Sequence, residues 1–276
     1  MSAARSSAPG IGVIKLGGSV LTGPAAYERA ANFIASLVAD EAGARLVVVV
    51  SAEQGLTDAL LELARGLSDP PDPAMRDLLW STGELRSVAL LALALQARGV
   101  RATGVNVQQT GLLDGLLEDD TAGPRGRPLV RPLRLHALLA SHDVVVAPGF
   151  LARGDADRVV SLGRGGSDLT AVVLAAALGA ERCELVKDVP GYFSSDPHRD
   201  PDARHLAALD YAAALAMAAG GCPVVQPAAL AAAERHALTI VVRSMAGNRR
   251  TEIRSGAAYQ RPPGEPAGGS HQHSIR

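Results

Sequence analysis

Short, continuous apolar runs recur along the chain and alternate with longer segments in which apolar residues follow a helical period. Most of the runs are apolar throughout rather than at every second position, which is typical of strands covered on both faces. The predicted strands are 12–16, 45–50, 143–148, 184–186 and 239–243. The predicted helices are 25–42, 56–67, 75–99, 167–178, 209–219 and 227–236. This alternation predicts an α/β fold with a mainly parallel central sheet.

Composition favours a soluble folded domain with a small-molecule partner. Of the 276 residues, 47% are hydrophobic, which is enough for a large core. The 27 basic and 28 acidic residues nearly balance and form no long run of one sign, so neither nucleic acid nor a membrane surface is indicated as a partner. The longest apolar runs, 88–95 and 171–180, reach about half the length of a membrane-spanning helix. Residues 1–10 lack the apolar core of a signal peptide, so we expect a cytoplasmic protein.

The sequence predicts a single folded domain without a metal site held by protein ligands. Residues 10–255 are predicted to form one domain, followed by a disordered tail, 256–276, that is rich in Gly, Pro and Ser. Cys183 and Cys222 lack the spacing of a zinc site or a disulfide framework, so we expect both thiols to be reduced. The seven histidines form no ligand cluster, and no metal site held by protein ligands is predicted.

The chain contains only two lysines, and each lies at the end of a predicted strand. Lys15 precedes a Gly-Gly turn, and Lys187 comes directly after the strand at 184–186, whereas the other 25 of the 27 basic residues are arginine. A compact ammonium is suited to bridging phosphate oxygens, and the N–H groups of a glycine turn can hold them. Chance survival of either lysine and a purely structural turn are the alternatives. Together these features predict a phosphate site at the strand ends.

A second glycine-rich segment, LGRGGSDLT at 162–170, lies at another junction between a loop and a helix. Arg164 could clamp a carboxylate or phosphate with two parallel hydrogen bonds. Asp168 falls in the first turn of the helix, where it could either serve catalysis or cap the helix. The segment therefore has two interpretations, a ligand site or a helix start.

Two further segments carry polar residues that could contact a ligand. The sequence STGE at 81–84 is predicted to interrupt an apolar helix, and Glu84 could bind a substrate ammonium or be a solvated charge. The segment 186–197, VKDVPGYFSSDP, contains two adjacent aromatic residues that could pack against an adenine ring. A tight surface turn with a half-buried Tyr192 or Phe193 is the alternative.

Taken together, the motifs resemble those of the aspartokinases, in the same order along the chain. They are KLGGS at 15–19, VVVVSAEQGLTD at 47–58, STGE at 81–84, PGF at 148–150, GRGGSD at 163–168 and DVPGYFSSDP at 188–197. Acetylglutamate, glutamate and uridylate kinases share the first and last of these patterns, whereas STGE together with GRGGSD is typical of aspartokinases. The resemblance covers about 13–244. It implies a three-layer α/β/α sandwich in which about 10–160 bind the amino acid and about 161–255 bind ATP.

The resemblance implies that the chain phosphorylates the side-chain carboxylate of L-aspartate with ATP and Mg²⁺, giving 4-phospho-L-aspartate. A carboxylate is already ionised at neutral pH, so the reaction needs alignment and charge neutralisation rather than a general base. The implied catalytic residues are Lys15, which neutralises the migrating phosphoryl group, and Asp168, which orients the lysine ammonium. The implied aspartate contacts are Ser51, Thr57, Glu84, Arg164 and Ser167. The implied nucleotide contacts are Gly17, Gly18, Ser19, Lys187, Asp188, Phe193, Asp196 and Pro197.

Three positions on the nucleotide side depart from the family pattern. Lys187 stands where the family has threonine, His198 where it has arginine, and Pro223 where it has a lysine that contacts the ATP phosphates. Our hypothesis is that Lys187 supplies the lost ammonium. The alternative is a non-catalytic paralogue or regulatory partner that binds ligand without turnover.

Two more expectations follow from the resemblance. The pair Glu53 and Gln54 stands where small residues are common, which leaves room for a related amino acid as the acceptor. Relatives usually associate through the kinase domain, so we expect a homodimer. The chain stops soon after Arg254, and we therefore expect no regulatory ACT domain within it.

Overall fold

The computed structural model describes residues 10–40, 43–114, 129–163, 165–197, 199–221 and 224–257. Within them, strands and helices alternate as the apolar pattern predicts. The strands are β1 (Ile11–Leu16), β2 (Arg45–Val50), β3 (Ala102–Gly104), β4 (Leu112–Leu113), β5 (Leu129–Val130), β6 (Val144–Pro148), β7 (Leu151–Arg153), β8 (Val159–Ser161), β9 (Arg182–Val186), β10 (Tyr192–Phe193), β11 (His205–Leu206), β12 (Ala208–Leu209), β13 (Thr239–Arg243) and β14 (Arg250–Ile253). The helices are α1 (Pro24–Asp40), α2 (Leu56–Arg65), α3 (Pro73–Gln96), α4 (Val107–Thr110), α5 (Leu133–Leu139), α6 (Gly166–Ala177), α7 (Tyr211–Ala219) and α8 (Pro227–Arg235).

The described residues form one central sheet of eight strands, in the order β12-β14-β13-β9-β1-β2-β6-β3. The six strands from β13 to β3 are parallel, and β14 runs antiparallel to β13. Strand β1 lies in the middle, with β2 on one side and β9 on the other. Ligands bind outside the carboxyl ends of the strands at such a switch point in an open α/β sheet. The predicted mainly parallel sheet is confirmed.

The sheet is covered on both faces, which explains why its strands are apolar throughout. In β2, Val47 and Val49 pack into the cluster that contains α5, α6 and α8, whereas Val48 and Val50 pack against α1 and α3. Successive side chains of a strand point to opposite faces of the sheet. A strand with alternating polar and apolar residues would therefore place polar side chains against the apolar side of one layer of helices. The three-layer α/β/α sandwich is therefore confirmed.

Several small elements were not predicted from the sequence. Strands β5, β4, β7 and β8 form a separate four-stranded sheet, and β10 pairs with β11. Each of these strands has two or three residues, too few for a periodic pattern to be recognised. The predicted tail from residue 258 onwards lies outside the described residues.

Helix α3 corrects one prediction. The STGE segment does not interrupt the helix: it lies in the middle of α3, and Ser81, Gly83 and Glu84 are buried there. Glycine and two hydroxyl residues lower helix propensity by only a modest amount, and packing against neighbouring loops outweighs that cost. On length and composition alone α3 could cross a membrane, but it buries Asp77 and Glu84 and is a core helix of this fold.

Candidate active site

Lys15, Lys187 and Asp168 meet because of the register of β1 and β9 and the position of α6. Lys15 is paired with Leu185, so their side chains share a face, and Lys187 is two residues further along the same face. This is the face covered by α6, and Asp168 lies in the first turn of that helix. The sheet and one helix therefore bring together two cations and a carboxylate that are far apart in the sequence.

Asp168 lies between the two ammonium groups and is 2% exposed. Lys187 Nζ donates to Asp168 Oδ2 at 2.7 Å, and Lys15 Nζ lies 3.0 Å from Oδ1 as an ion pair without hydrogen-bond alignment. Burial opposes ionisation of Asp168, but the charges of Lys15 and Lys187 outweigh it and lower the pKa of the carboxyl. Burial and then the charge of Lys15 lower the pKa of Lys187. The centre has two cations for one anion, so it keeps an excess positive charge.

The Gly17-Gly18 turn carries the chain from β1 across the carboxyl edge of the sheet. Gly17 N–H donates to the carbonyl of Val186, at 3.2 Å, and ties the turn to β9. Gly18 packs directly against the carbonyl of Ala52, where a Cβ atom would clash. Ser19 is exposed in a single 3₁₀ turn, and α1 begins only at Pro24. The close backbone approach at the glycines is therefore present, and a 3₁₀ turn rather than α1 follows them directly.

Glu84 is a buried carboxyl group close enough to Lys15 for the charge of that lysine to act on it. It is 3% exposed, and its Oε2 atom has no hydrogen-bond partner among the described residues. Burial raises the pKa of Glu84 to about 8, against the lowering effects of a backbone hydrogen bond from Ala52 and the charge of Lys15. A buried acceptor without a donor costs free energy unless a ligand supplies one. The arrangement is suited to a cationic group such as an ammonium.

Three of the other predicted aspartate contacts lie at the ends of strands or helices. Ser51 follows β2, Thr57 is the second residue of α2, and Ser167 is in the first turn of α6. Gly149 lies so close to Ser167 that a Cβ on it would be 2.7 Å from the serine Cβ. Arg164 lies outside the described residues, so its position is not part of this geometry.

Glu53 does not project into an open pocket. Its Oε1 atom accepts a hydrogen bond from the hydroxyl of Tyr27 at 3.2 Å and lies 3.4 Å from Arg86 Nη2. The hydroxyl of Ser87 donates to the same Tyr27 oxygen, and the two oxygens are 3.0 Å apart. Burial raises the pKa of Tyr27 to about 12. Glu53 therefore joins the loop after β2 to α1 and α3.

A cleft of about 1030 Å³ opens beside the residues that follow Lys187, and Val189 and Gly191 line it. Of the predicted nucleotide contacts, Phe193, Asp196 and Pro197 line it. Tyr192 is fully buried, and its hydroxyl accepts a hydrogen bond from the N–H of Val225 at 3.1 Å, so the predicted aromatic pair offers only Phe193 to a ligand. His198 and Pro223, at which the family pattern breaks, lie outside the described residues.

The second wall of the cleft was missed by sequence analysis. It consists of small and apolar side chains of α7 and the residues after it, namely Ala212, Ala213, Ala216, Met217, Gly220, Gly221 and Val224. A run of alanines in a helix has the same pattern whether it faces a core or a cleft, so no signal in the sequence distinguishes the two.

Comparisons with known proteins agree with this fold and with the motifs. Residues 11–244 match the model of the amino acid kinase family. An aspartokinase from Thermus thermophilus is 41% identical over 204 residues, which are 74% of this chain and 49% of that protein. The chain spans about half the length of the curated relatives it matches.

Solved structures give the same result. Aspartate kinase from Synechocystis superposes with a TM-score of 0.78 at 34% identity, over 91% of this chain and 40% of that chain. Aspartokinase III from E. coli, in complex with aspartate and ADP, superposes with a TM-score of 0.70 at 27% identity, over 89% of this chain and 65% of that chain. The resemblance to aspartokinases is confirmed, and the chain belongs to the amino acid kinase family.

Proposed function

We propose that this chain transfers the γ-phosphoryl group of ATP to the side-chain carboxylate of L-aspartate. One observation carries the proposal: Lys15 and Lys187 share Asp168, Lys15 acts on the buried carboxyl of Glu84, whose Oε2 is unpartnered, and residues just after Lys187 line an open cleft with an apolar wall. This arrangement supports an amino acid on one side, a nucleotide on the other and phosphoryl transfer between them. The similarity to an aspartokinase that binds aspartate and ADP supports the same assignment.

Charge is the main contribution of the protein to this reaction. The carboxylate of aspartate attacks the γ-phosphorus and the bond to the β,γ-bridging oxygen breaks, so ADP leaves and an acyl phosphate forms. Negative charge spreads over the phosphoryl oxygens during transfer, and Lys15 and Lys187 are placed to neutralise it. Asp168 holds both ammonium groups in position, and Glu84 takes the α-ammonium of the acceptor. No residue has to remove a proton.

Lys187 takes the part of the cation that the family pattern places at position 223. Its ammonium shares Asp168 with Lys15 and is 17% exposed, so it remains open to a ligand while it is fixed by an ion pair. A fixed ammonium pays less entropy on binding phosphate than a free surface lysine does. This placement supports a catalytic kinase over a paralogue that binds ligand without turnover.

Magnesium is expected to arrive with ATP. Asp188 is exposed and directly follows Lys187, and its charge acts on that lysine. A carboxylate oxygen beside phosphate oxygens is the kind of ligand that Mg²⁺ takes in nucleotide sites, so Asp188 would hold the ion. When bound, the ion would neutralise part of the phosphate charge. The proposal also includes a cytoplasmic location and a homodimer. Light scattering on the purified protein would test whether it is a dimer.

The test of the function is an assay with ATP, Mg²⁺ and L-aspartate in which hydroxylamine traps the acyl phosphate as a hydroxamate. We expect product with the wild type, a loss of about 100-fold or more for Lys15→Ala, and a loss of about tenfold or more for Lys187→Met.

Arg45→Met is a matched control, because Arg45 also pairs with a carboxylate, Asp143 at 3.1 Å, but at the opposite edge of the sheet. Wild-type rates in Arg45→Met show that losing a paired cation is not harmful in itself. Wild-type activity and ATP affinity in Lys187→Met would remove Lys187 from the mechanism. No hydroxamate from a folded wild type that binds aspartate would favour a ligand-binding role, and a related amino acid that gave product would identify a different acceptor.

A further inference from the structure

Four residues connect α3 to the loops around Glu84, and the function proposed above does not use them. We define Arg76, Asp77, Trp80 and Phe150 as the acceptor clamp. Trp80 is the only tryptophan in the chain and lies one helical turn before Glu84, on the same side of α3. Its indole N–H donates to the carbonyl of Thr57 at 3.1 Å, which fixes the start of α2 to α3.

The second link of the clamp runs from Trp80 to the loop after β6. The rings of Trp80 and Phe150 pack at a centroid distance of 5.5 Å with an interplanar angle of 58°. Phe150 has a φ of 68°, a left-handed conformation that is rare for a bulky side chain and is characteristic of functional sites. The Cα atom of Phe150 packs on Gly166, where a Cβ would be 3.2 Å away. The ring of Trp80 therefore contacts the first turn of α6 indirectly, through Phe150.

The third link holds the strand that leads into the glycine-rich segment. Asp77 is 5% exposed, and its Oδ2 atom accepts a hydrogen bond from the N–H of Ser161 at 2.8 Å. Its Oδ1 atom lies 2.9 Å from Arg76 Nη2, and the Arg76 guanidinium lies over the Trp80 ring, 4.6 Å from its centroid. The next amide, of Leu162, donates to the carbonyl of Phe150 at 2.8 Å.

From these contacts we infer that the acceptor clamp sets the distance between Glu84 and the amino end of α6, and that Trp80 is its positioning residue. The inference rests on the proposed function. The ammonium of the acceptor binds Glu84 on α3, while its side-chain carboxylate must reach Lys15 beside Asp168 on α6. A fixed separation between α3 and α6 selects an acceptor of one length, so the clamp favours aspartate over glutamate, which is longer by one methylene. Small displacements of such a site reduce the rate strongly because the reacting atoms lose their alignment.

The experiment compares Trp80→Phe with Gln96→Met in the hydroxamate assay. Gln96 is a matched control because its side-chain N–H also donates from α3 to a backbone carbonyl, that of Ala102 at 2.9 Å, far from the site. We expect Trp80→Phe to raise the KM for aspartate about fivefold or more and leave the KM for ATP unchanged. We also expect it to lower the preference for aspartate over glutamate at least about threefold. Gln96→Met should match the wild type in all three quantities.

A second measurement needs no variant. Because Trp80 is the only tryptophan, the emission of the wild type reports directly on the clamp. We expect aspartate to change this emission with a midpoint near its KM, and AMP to leave it unchanged.

Kinetics of Trp80→Phe that match those of Gln96→Met, or tryptophan emission that saturating aspartate does not change, would overturn the inference. Absence of hydroxamate with the wild type would count against the proposed function alone, since the emission measurement tests the clamp without turnover.

Discussion

The acceptor side and the nucleotide side of the Lys15–Asp168–Lys187 centre are built in opposite ways. On the acceptor side, Glu84 is 3% exposed, and hydrogen bonds that involve buried or half-buried side chains of α3 join this helix to α2 and β8. On the nucleotide side, an open cleft of about 1030 Å³ has a wall of small and apolar residues. A buried carboxylate recognises one cation and rejects a neutral group, whereas an apolar wall recognises shape and tolerates variation.

The departures from the aspartokinase pattern follow this difference. Lys187, His198 and Pro223 fall in segments that the resemblance assigns to the nucleotide, while the residues implied to hold aspartate keep the family pattern. A phosphate cation can be supplied from either of two neighbouring segments, because the ammonium of a lysine is carried by a long side chain. An unpartnered buried carboxylate has no such substitute. Substitutions should therefore have larger effects on the acceptor side.

Outside the Lys15–Asp168–Lys187 centre, the largest effect is expected for Glu84→Gln. Replacing the carboxylate with an amide removes the charge that binds the α-ammonium, and we expect kcat/KM for aspartate to fall about 100-fold, or about 2.7 kcal/mol. The KM for ATP should not change. The hydroxamate assay with each substrate varied in turn measures both values. An equal rise of both KM values would show that the two sides are not recognised separately.

The same substitution should stabilise the fold in alkaline solution. The pKa of Glu84 is raised from 4.5 to about 8 in the folded protein, so folding favours the protonated form of this residue. The resulting contribution to the stability of the fold is fully present below about pH 4.5 and is lost as the pH rises through 8. At pH 9 we expect the free energy of unfolding of Glu84→Gln to exceed that of the wild type by at least about 1 kcal/mol. Urea unfolding at pH 5 is the control, because the difference should be much smaller there.

The pH dependence of acceptor binding gives the next largest effect. Glu84 must be ionised to hold an ammonium, and its pKa of about 8 leaves it mostly protonated at pH 6. At saturating ATP and Mg²⁺, kcat/KM for aspartate should rise about tenfold from pH 6 to 7 and level off above about pH 8. Aspartate itself keeps its charges across this range. In Glu84→Gln the slope should disappear, and a slope that persisted would assign the titration to another group.

Much of the fold could be predicted from the sequence, because buried strands and helices leave strong apolar patterns. The bounds of β2 and β13 agree with the predicted 45–50 and 239–243, since each strand has a run of aliphatic residues with a polar residue at one or both ends. The β10–β11 pair and the four-stranded sheet could not be predicted, because strands of two or three residues depend on tertiary pairing rather than on a local pattern.

The candidate site was predictable to the extent that charge and glycine define it. Lys15, Lys187, Glu84 and Asp168 are conspicuous as charged residues in apolar surroundings, and the structure brings the lysines and Asp168 together. Trp80 was not recognised, because one aromatic residue in an apolar helix has the pattern of a core residue. The role inferred for Trp80 rests on its contacts with Thr57 and Phe150.

The smallest effect is expected on the nucleotide side, for Phe193→Leu. Leucine keeps part of the apolar surface that lines the cleft but loses the flat ring, so we expect the KM for ATP to rise about fivefold. The KM for aspartate should stay within about twofold of the wild-type value, because Phe193 does not contact the acceptor side. Tyr192→Phe is the matched control: it alters the adjacent aromatic residue, whose hydroxyl is buried on Val225 N–H, and should lower stability by about 1 kcal/mol without changing the KM for ATP. If Phe193→Leu raised the KM for aspartate as much as the KM for ATP, the apolar wall would also position the acceptor. The two sides of the centre would then not bind their ligands independently.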